Sequence, residues 1–161
     1  MEKYELYLYK ELLNIPFNLY DLIYRYFELN KTVKIAFVGG YIRDLLIKKI
    51  HNLSQINPID LDIVIEGSAI SLAKFIKRNI RDVNICLIKE FELYNTVELH
   101  INNLKIDIAS AREEFYEAPG LNPIVKKSII SKDLKRRDIS INAIAFEITK
   151  REIYDLFEGI N

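Results

Sequence analysis

Val33-Lys34-Ile35-Ala36-Phe37-Val38-Gly39-Gly40-Tyr41-Ile42-Arg43-Asp44 is an apolar run that meets two glycines and then changes period. Val33–Val38 reads as a buried strand and Tyr41–Ile50 as the helix that follows it. Downstream, Pro58 precedes Ile59–Ile65 (IDLDIVI), a second strand with strict alternation. Ser68 is placed to cap a helix over Ala69–Arg78. Val83–Lys89 is a further strand. Thr96–Ile101 and Leu104–Ala109 flank Asn102–Asn103, the signal of a hairpin. Ser131–Asp138 reads as a short charged helix with a serine cap, and Ile141–Ile148 and Glu152–Leu156 as two closing strands. Upstream, Leu12, Leu13, Leu19, Leu22, Ile23, Tyr26 and Phe27 recur at helical spacing, and Pro16 divides them into two short helices. The sum is α/β (α+β): a short mixed sheet flanked by helices, with an N-terminal helical extension over 1–30 and the main domain over 31–161.

With 161 residues, half of them hydrophobic and 29% charged, the chain suits a folded domain rather than a disordered tail. Its 23 Lys+Arg balance 23 Asp+Glu, so no global positive field draws it onto nucleic acid, and such binding needs a local patch. Cys86 is the single cysteine, which excludes a disulfide framework and a cysteine-built zinc site. With only His51 and His100, a histidine metal centre is poorly supplied. No apolar stretch approaches the roughly 18 residues of a membrane span. The charged, tyrosine-rich N-terminus is unlike a secretory signal. The reading is a cytoplasmic protein with no membrane partner.

Three constellations carry chemistry. Asp60 and Asp62 share one face of their strand, while Leu61, Ile63 and Ile65 point into a core. Two like charges so close repel in a half-buried site, and a hard divalent cation such as Mg²⁺ relieves that. Taken alone the pair is a solvated strand face. Asp107 sits in the same phase on its own strand, opposite Ile106 and Ile108. If its strand lies beside that of Asp60 and Asp62, a third carboxylate completes a two-metal site for phosphoryl or nucleotidyl transfer. Next, Gly39 and Gly40 end a strand where a helix begins, so backbone N–H groups can approach an anion, and Arg43 on the first turn can reach it too. A plain strand-to-helix turn is the competing reading. Third, Lys135, Arg136 and Arg137 stand beside Asp138 on a short helix. A solvated charged face is the ordinary reading of such a run, but Arg136 and Arg137 cannot share one helix face, so one turns inward and the other outward. Asn142 enters an otherwise apolar strand, which gives it a hydrogen-bonding task.

FVGGYIRDLLI (37–47), PIDLDIVIEG (58–67), KIDIASAREEFYEAPG (105–120), DLKRRDISINAIAFEI (133–148) and IYDLFEGI (153–160) occur in an order that resembles the head domain of the class II tRNA nucleotidyltransferase (CCA-adding) and bacterial poly(A) polymerase family. The resemblance covers residues 33–161 and implies a nucleotidyltransferase fold whose sheet carries metal-binding carboxylates. Gly39 and Gly40 match the family's triphosphate-contacting glycines. Arg43 matches its nucleotide-contacting arginine, and Asp44 the acid that buttresses that turn. Asp60 and Asp62 match its metal-binding pair. Asp107 falls where relatives place a third acid, five residues before an arginine that is here Arg112. Arg137 matches the second arginine of the R-R-D motif, which contacts the nucleotide. Asn95-Thr96 departs from the Gly-Thr of many relatives, and the loop after Arg43 is longer than in compact relatives.

What the resemblance implies is a Mg²⁺-dependent catalytic domain. It would add CMP and/or AMP from CTP/ATP to an RNA 3′ end, that of tRNA foremost, with release of pyrophosphate. Asp60, Asp62 and Asp107 are the expected catalytic and metal-binding residues. Gly39, Gly40, Arg43, Asp44, Arg112, Arg137 and Asn142 are the expected nucleotide site. The family continues past this point into a helical neck, body and tail, which the reading takes as absent. The alternative is therefore a nucleotide-binding module, inactive alone, that needs a separate helical RNA-binding chain.

Overall fold

Proline locks φ and lacks an N–H, so Pro16 breaks the first helical run. In the computed structural model, which describes residues 1–53, 60–84, 86–115, 117–118, 120, 123–137 and 142–160, α1 (Glu2–Leu13) and α2 (Leu19–Leu29) are separated there by one 3-10 turn, Pro16–Asn18. β1 (Ile35–Val38) runs into α3 (Gly39–His51), and β2 (Asp60–Ile65) into α4 (Ala69–Asn79). Ser68 Oγ accepts from the Ser71 N–H at 3.2 Å, the cap expected for α4. β3 (Cys86–Phe91), β4 (Thr96–Ile101) and β5 (Leu104–Ser110) form a meander that turns at Asn102 with φ +51°. β6 (Arg112–Phe115), β7 (Ile124–Lys127), α5 (Ile130–Lys135), β8 (Ile144–Glu147) and β9 (Glu152–Asp155) complete the described order.

The main sheet has the order β3-β4-β5-β2-β1-β8-β9. β2 and β5 are parallel and the other neighbours antiparallel, so the sheet is mixed as expected. Strand alternation gives it two unlike faces. Leu61, Ile63, Phe37 and Ile106 point to one, where Leu8, Leu12, Ile23, Leu45 and Leu72 of α1–α4 bury against them. Ala36, Val64 and Ala145 point to the other, where their small side chains admit Ile130 and Leu134 of α5. α5 covers only part of that second face.

α1 belongs to the main core. Leu8 and Leu12 are fully buried, and Glu5 Oε1 accepts from the Ile153 N–H of β9 at 3.1 Å. Leu12→Ala should cost about 2–5 kcal/mol, read as a lower denaturant midpoint. An unchanged midpoint would show α1 to be a loosely held appendage.

Several local expectations need correction. α3 starts at Gly39 rather than Tyr41, so Arg43 opens its second turn, not its first. α5 is not capped by Ser131 and ends at Lys135. Its first N–H, on Ile130, instead donates to Glu66 Oε1 at 2.9 Å, a remote carboxylate serving a helix N-terminus. β3 begins at Cys86, later than Val83. The β6–β7 ribbon has no counterpart in the sequence reading, because REEF and IVKK are short, charged and without core alternation. The strand expected over Ile141–Ile148 begins only at Ile144, so Asn142 precedes it rather than lying within it; Asp138 and Ile141 themselves lie outside the described residues. No described helix is long and apolar enough to cross a membrane.

Candidate active site

β2 and β5 run parallel with Asp62 and Asp107 as register partners, and Asp107 pairs in turn with Glu98 of β4. Paired residues point to the same side, and neighbouring strands lie about 4.8 Å apart, so Glu98, Asp107 and Asp62 form a row of carboxylates on the sheet's second face. α5 leaves this part of the face open. A cleft of about 190 Å³ is lined there by Asp62, Asp107, Glu98, Phe91 and Arg137, among others. Asp60 lies two residues before Asp62, on the same face but exposed at the start of the strand.

Asp62, Asp107 and Glu98 are all half-buried. Burial pushes the Asp62 carboxyl above the usual carboxylate range; Asp107 and Asp60 push the same way, while Arg137 and Lys105 oppose them. A buried carboxylate beside two others calls for a cation. Hard oxygen donors suit Mg²⁺, and Asp62, Asp107 and Glu98 present carboxylates to the cleft, with Asp60 at the strand end. Among the described residues no three such side chains already converge on one point. Asp107 Oδ2 is held by Lys105 Nζ at 2.8 Å.

β1 delivers Val38 beside Asp62, and the chain then turns at Gly39 with φ +74°. A Cβ at Gly39 would collide with Asp62 Oδ2, so this glycine serves both the turn and the close approach of the carboxylate. Over Gly40 lies the Arg43 guanidinium, with Nη2 3.4 Å from the place a Cβ would take. Arg43 Nε donates to Asp44 Oδ1 at 2.7 Å and Nη1 to Asn142 Oδ1 at 2.9 Å. Asp44 and Asn142 thus fix one arginine above the glycine turn.

The sequence reading sends Arg136 and Arg137 to opposite sides; the structure turns both to Asp133. Arg136 Nη2 is 3.0 Å from Asp133 Oδ1, and Arg137 Nη2 is 3.5 Å from Oδ2. Residues three and four after Asp133 both lie on its side of a helical turn, so the two arginines reach it together. Asp133 is fully buried and also accepts from the Arg112 N–H at 3.2 Å. Arg137 Nε is buried without a hydrogen-bond partner. Arg112 stands apart from the cleft lining: its Nη2 meets Glu114 Oε1 at 2.8 Å and its guanidinium lies over Tyr94. Asn95 adopts φ +46°, the conformation a glycine takes freely, and its Oδ1 accepts from Ser110 Oγ at 2.9 Å. Asp133, Glu98 and Lys105 were not singled out from the sequence. Asp133 was legible, since its spacing to the two arginines is i,i+3 and i,i+4.

A larger cavity, about 370 Å³, lies elsewhere between α2 and the loop after α4. Asp21 and Asp82 there offset Arg25 and Arg81, and size alone gives it no chemistry.

The chain is similar to known tRNA nucleotidyltransferases. The A-adding tRNA nucleotidyltransferase of Aquifex aeolicus is 38% identical over 126 residues, which are 76% of this chain and 14% of that protein. A solved CCA-adding enzyme in an apo form superposes with TM-score 0.71 at 34% identity, over 89% of this chain and 32% of the other. The Thermotoga maritima CCA-adding enzyme in complex with tRNA gives TM-score 0.65 at 32% identity, over 88% and 29%. Solved relatives also include CCA-adding enzyme complexes with ATP and with CTP. The chain therefore spans about a third or less of the length of these relatives. The family model described as the Poly A polymerase head domain matches residues 35–161, and to that family the chain belongs.

Proposed function

We propose that this chain is the nucleotidyl-transferring head of a cytoplasmic tRNA nucleotidyltransferase, which adds AMP and/or CMP to an RNA 3′ end. The observation that carries the reading is the pairing of Asp62 with Asp107 on adjacent parallel strands, at a cleft that Arg137 also lines. In the reaction the RNA 3′-oxygen bonds to the α-phosphorus of the nucleotide, the bond from that phosphorus to the β-phosphate bridge breaks, and pyrophosphate leaves. Asp62 and Asp107, assisted by Asp60, hold Mg²⁺. Bound there, the metal supplies positive charge that favours ionisation of the attacking hydroxyl and steadies the leaving pyrophosphate. Gly39 and Gly40 bring backbone N–H groups to the triphosphate. Arg43, fixed by Asp44 and Asn142, and Arg137, fixed by Asp133, give it guanidinium forks from two sides. Arg112, held by Glu114, serves as an outer support of this arrangement.

Arg43→Lys and Arg137→Lys test the forks. Each should weaken nucleotide binding by about 1.5–3 kcal/mol, the worth of a charge-assisted hydrogen bond. Calorimetric affinities equal to wild type in both variants would contradict the assignment.

Carboxylates, arginines and glycine backbone address metal and phosphate, not the base. The isolated chain should therefore bind ATP, CTP, GTP and UTP within about tenfold of one another, or 1.4 kcal/mol. RNA affinity requires several phosphate contacts, and we place these, with base choice, in a helical partner or in segments like those the relatives carry beyond the matched third. Fluorescence titration with the four nucleotides tests this. A preference above tenfold would put base selection within these residues.

A further inference from the structure

Two charged side chains beside the carboxylates have no task in the reaction above. Lys105 lies two residues before Asp107 on β5, so both point to the open face. Its ammonium donates to Asp107 Oδ2 at 2.8 Å and stands 3.6 Å from Glu98 Oε2. Lys105 is also the register partner of Asp60. One ammonium is thus placed among three carboxylates. Glu98 is steadied from its other side, with Oε1 2.9 Å from His100 Nε2. The hydrogen bond to Asp107 raises the Lys105 pKa, and the fields of Asp107, Glu98 and Asp60 act in the same direction.

The ammonium takes up Asp107 Oδ2 and leaves Oδ1, but its positive charge beside both oxygens opposes any divalent cation arriving at Asp62 and Asp107. The displaced ammonium need not be left without a partner, because Glu98 already lies beside it and a lysine stem turns easily about its last bonds. We propose that Lys105 is the resident counterion of this site, holding Asp107 until a divalent cation claims that carboxylate, and that Glu98 is the acceptor to which the ammonium then moves. The inference rests on the proposed metal site and adds the residue with which the metal competes.

The test is Mn²⁺ alone, titrated into the protein without nucleotide, with the free ion read from its paramagnetic resonance signal. Lys105→Met and Lys105→Gln should each bind Mn²⁺ about fivefold tighter than wild type or more. Glu98→Gln should weaken binding about threefold when Lys105 is present, and under about 1.5-fold in the Lys105→Met background. Asp62→Asn, added to Lys105→Met, should abolish the tight binding. Equal affinity in wild type and both Lys105 variants, with binding still lost on Asp62→Asn, would overturn the counterion role and leave the metal site standing. The same loss from Glu98→Gln in both backgrounds would overturn its role as acceptor. Mn²⁺ binding that Asp62→Asn leaves unchanged, or that neither Lys105 variant shows, would refute the metal site and this inference with it.

Discussion

Asp62→Asn should reduce nucleotide transfer on the order of 10³-fold while the protein stays folded, the scale on which single electrostatic groups act at a reacting centre. The substitution keeps the shape of the side chain and removes the charge that a metal needs. Stability should move the other way. Burial raises the Asp62 pKa above its ordinary value, so the folded state holds this proton more tightly than the unfolded state. Stability is then fully present below the ordinary carboxylate value and declines as pH rises through the raised one. Asparagine does not titrate, so Asp62→Asn should melt at a higher temperature than wild type near pH 7, with the gap closing toward about pH 4. Thermal melts across that range check the sign. Turnover at the wild-type level in Asp62→Asn would remove Asp62 from the chemistry.

Gly39→Ala should be nearly as damaging, for a steric reason. The φ of +74° costs a residue with a Cβ about 1–2 kcal/mol, and the new methyl would collide with Asp62 Oδ2. Either the turn opens or the carboxylate moves. A displacement near 1 Å at a reacting centre costs about 100-fold in rate, so Gly39→Ala should lose about that much turnover together with a measurable drop in melting temperature. Gly40→Ala meets only the end of the Arg43 side chain and should be much milder. Equal rates for wild type and Gly39→Ala would mean that Asp62 need not sit against this turn.

The alternation of IDLDIVI was enough to place Asp60 and Asp62 on one face and the core on the other, and the Asn102 hairpin fixed β4 against β5. What the sequence leaves open is which strand adjoins β2, because parallel pairing is made by a crossover and carries no local signal. The register that sets Asp62 beside Asp107 comes from the assembled sheet. The expectation of opposite directions for Arg136 and Arg137 failed because neighbours on a helix differ by only about 100°, and both stand three and four residues after buried Asp133, which gathers them. Lys105 escaped notice because a lone strand lysine is ordinary; only its neighbours across β4 and β2 give it a task.

Paramagnetic broadening by Mn²⁺ with ATP tests the central claim most directly, since it reports where the metal–nucleotide sits without requiring RNA or turnover. In the amide spectrum of this chain, the signals of Gly39, Gly40, Asp62 and Asp107 should vanish first, and those of Arg25 and Arg81 beside the larger cavity should keep their intensity. Broadening centred on Arg25 and Arg81, with Asp62 and Asp107 unaffected, would contradict the account.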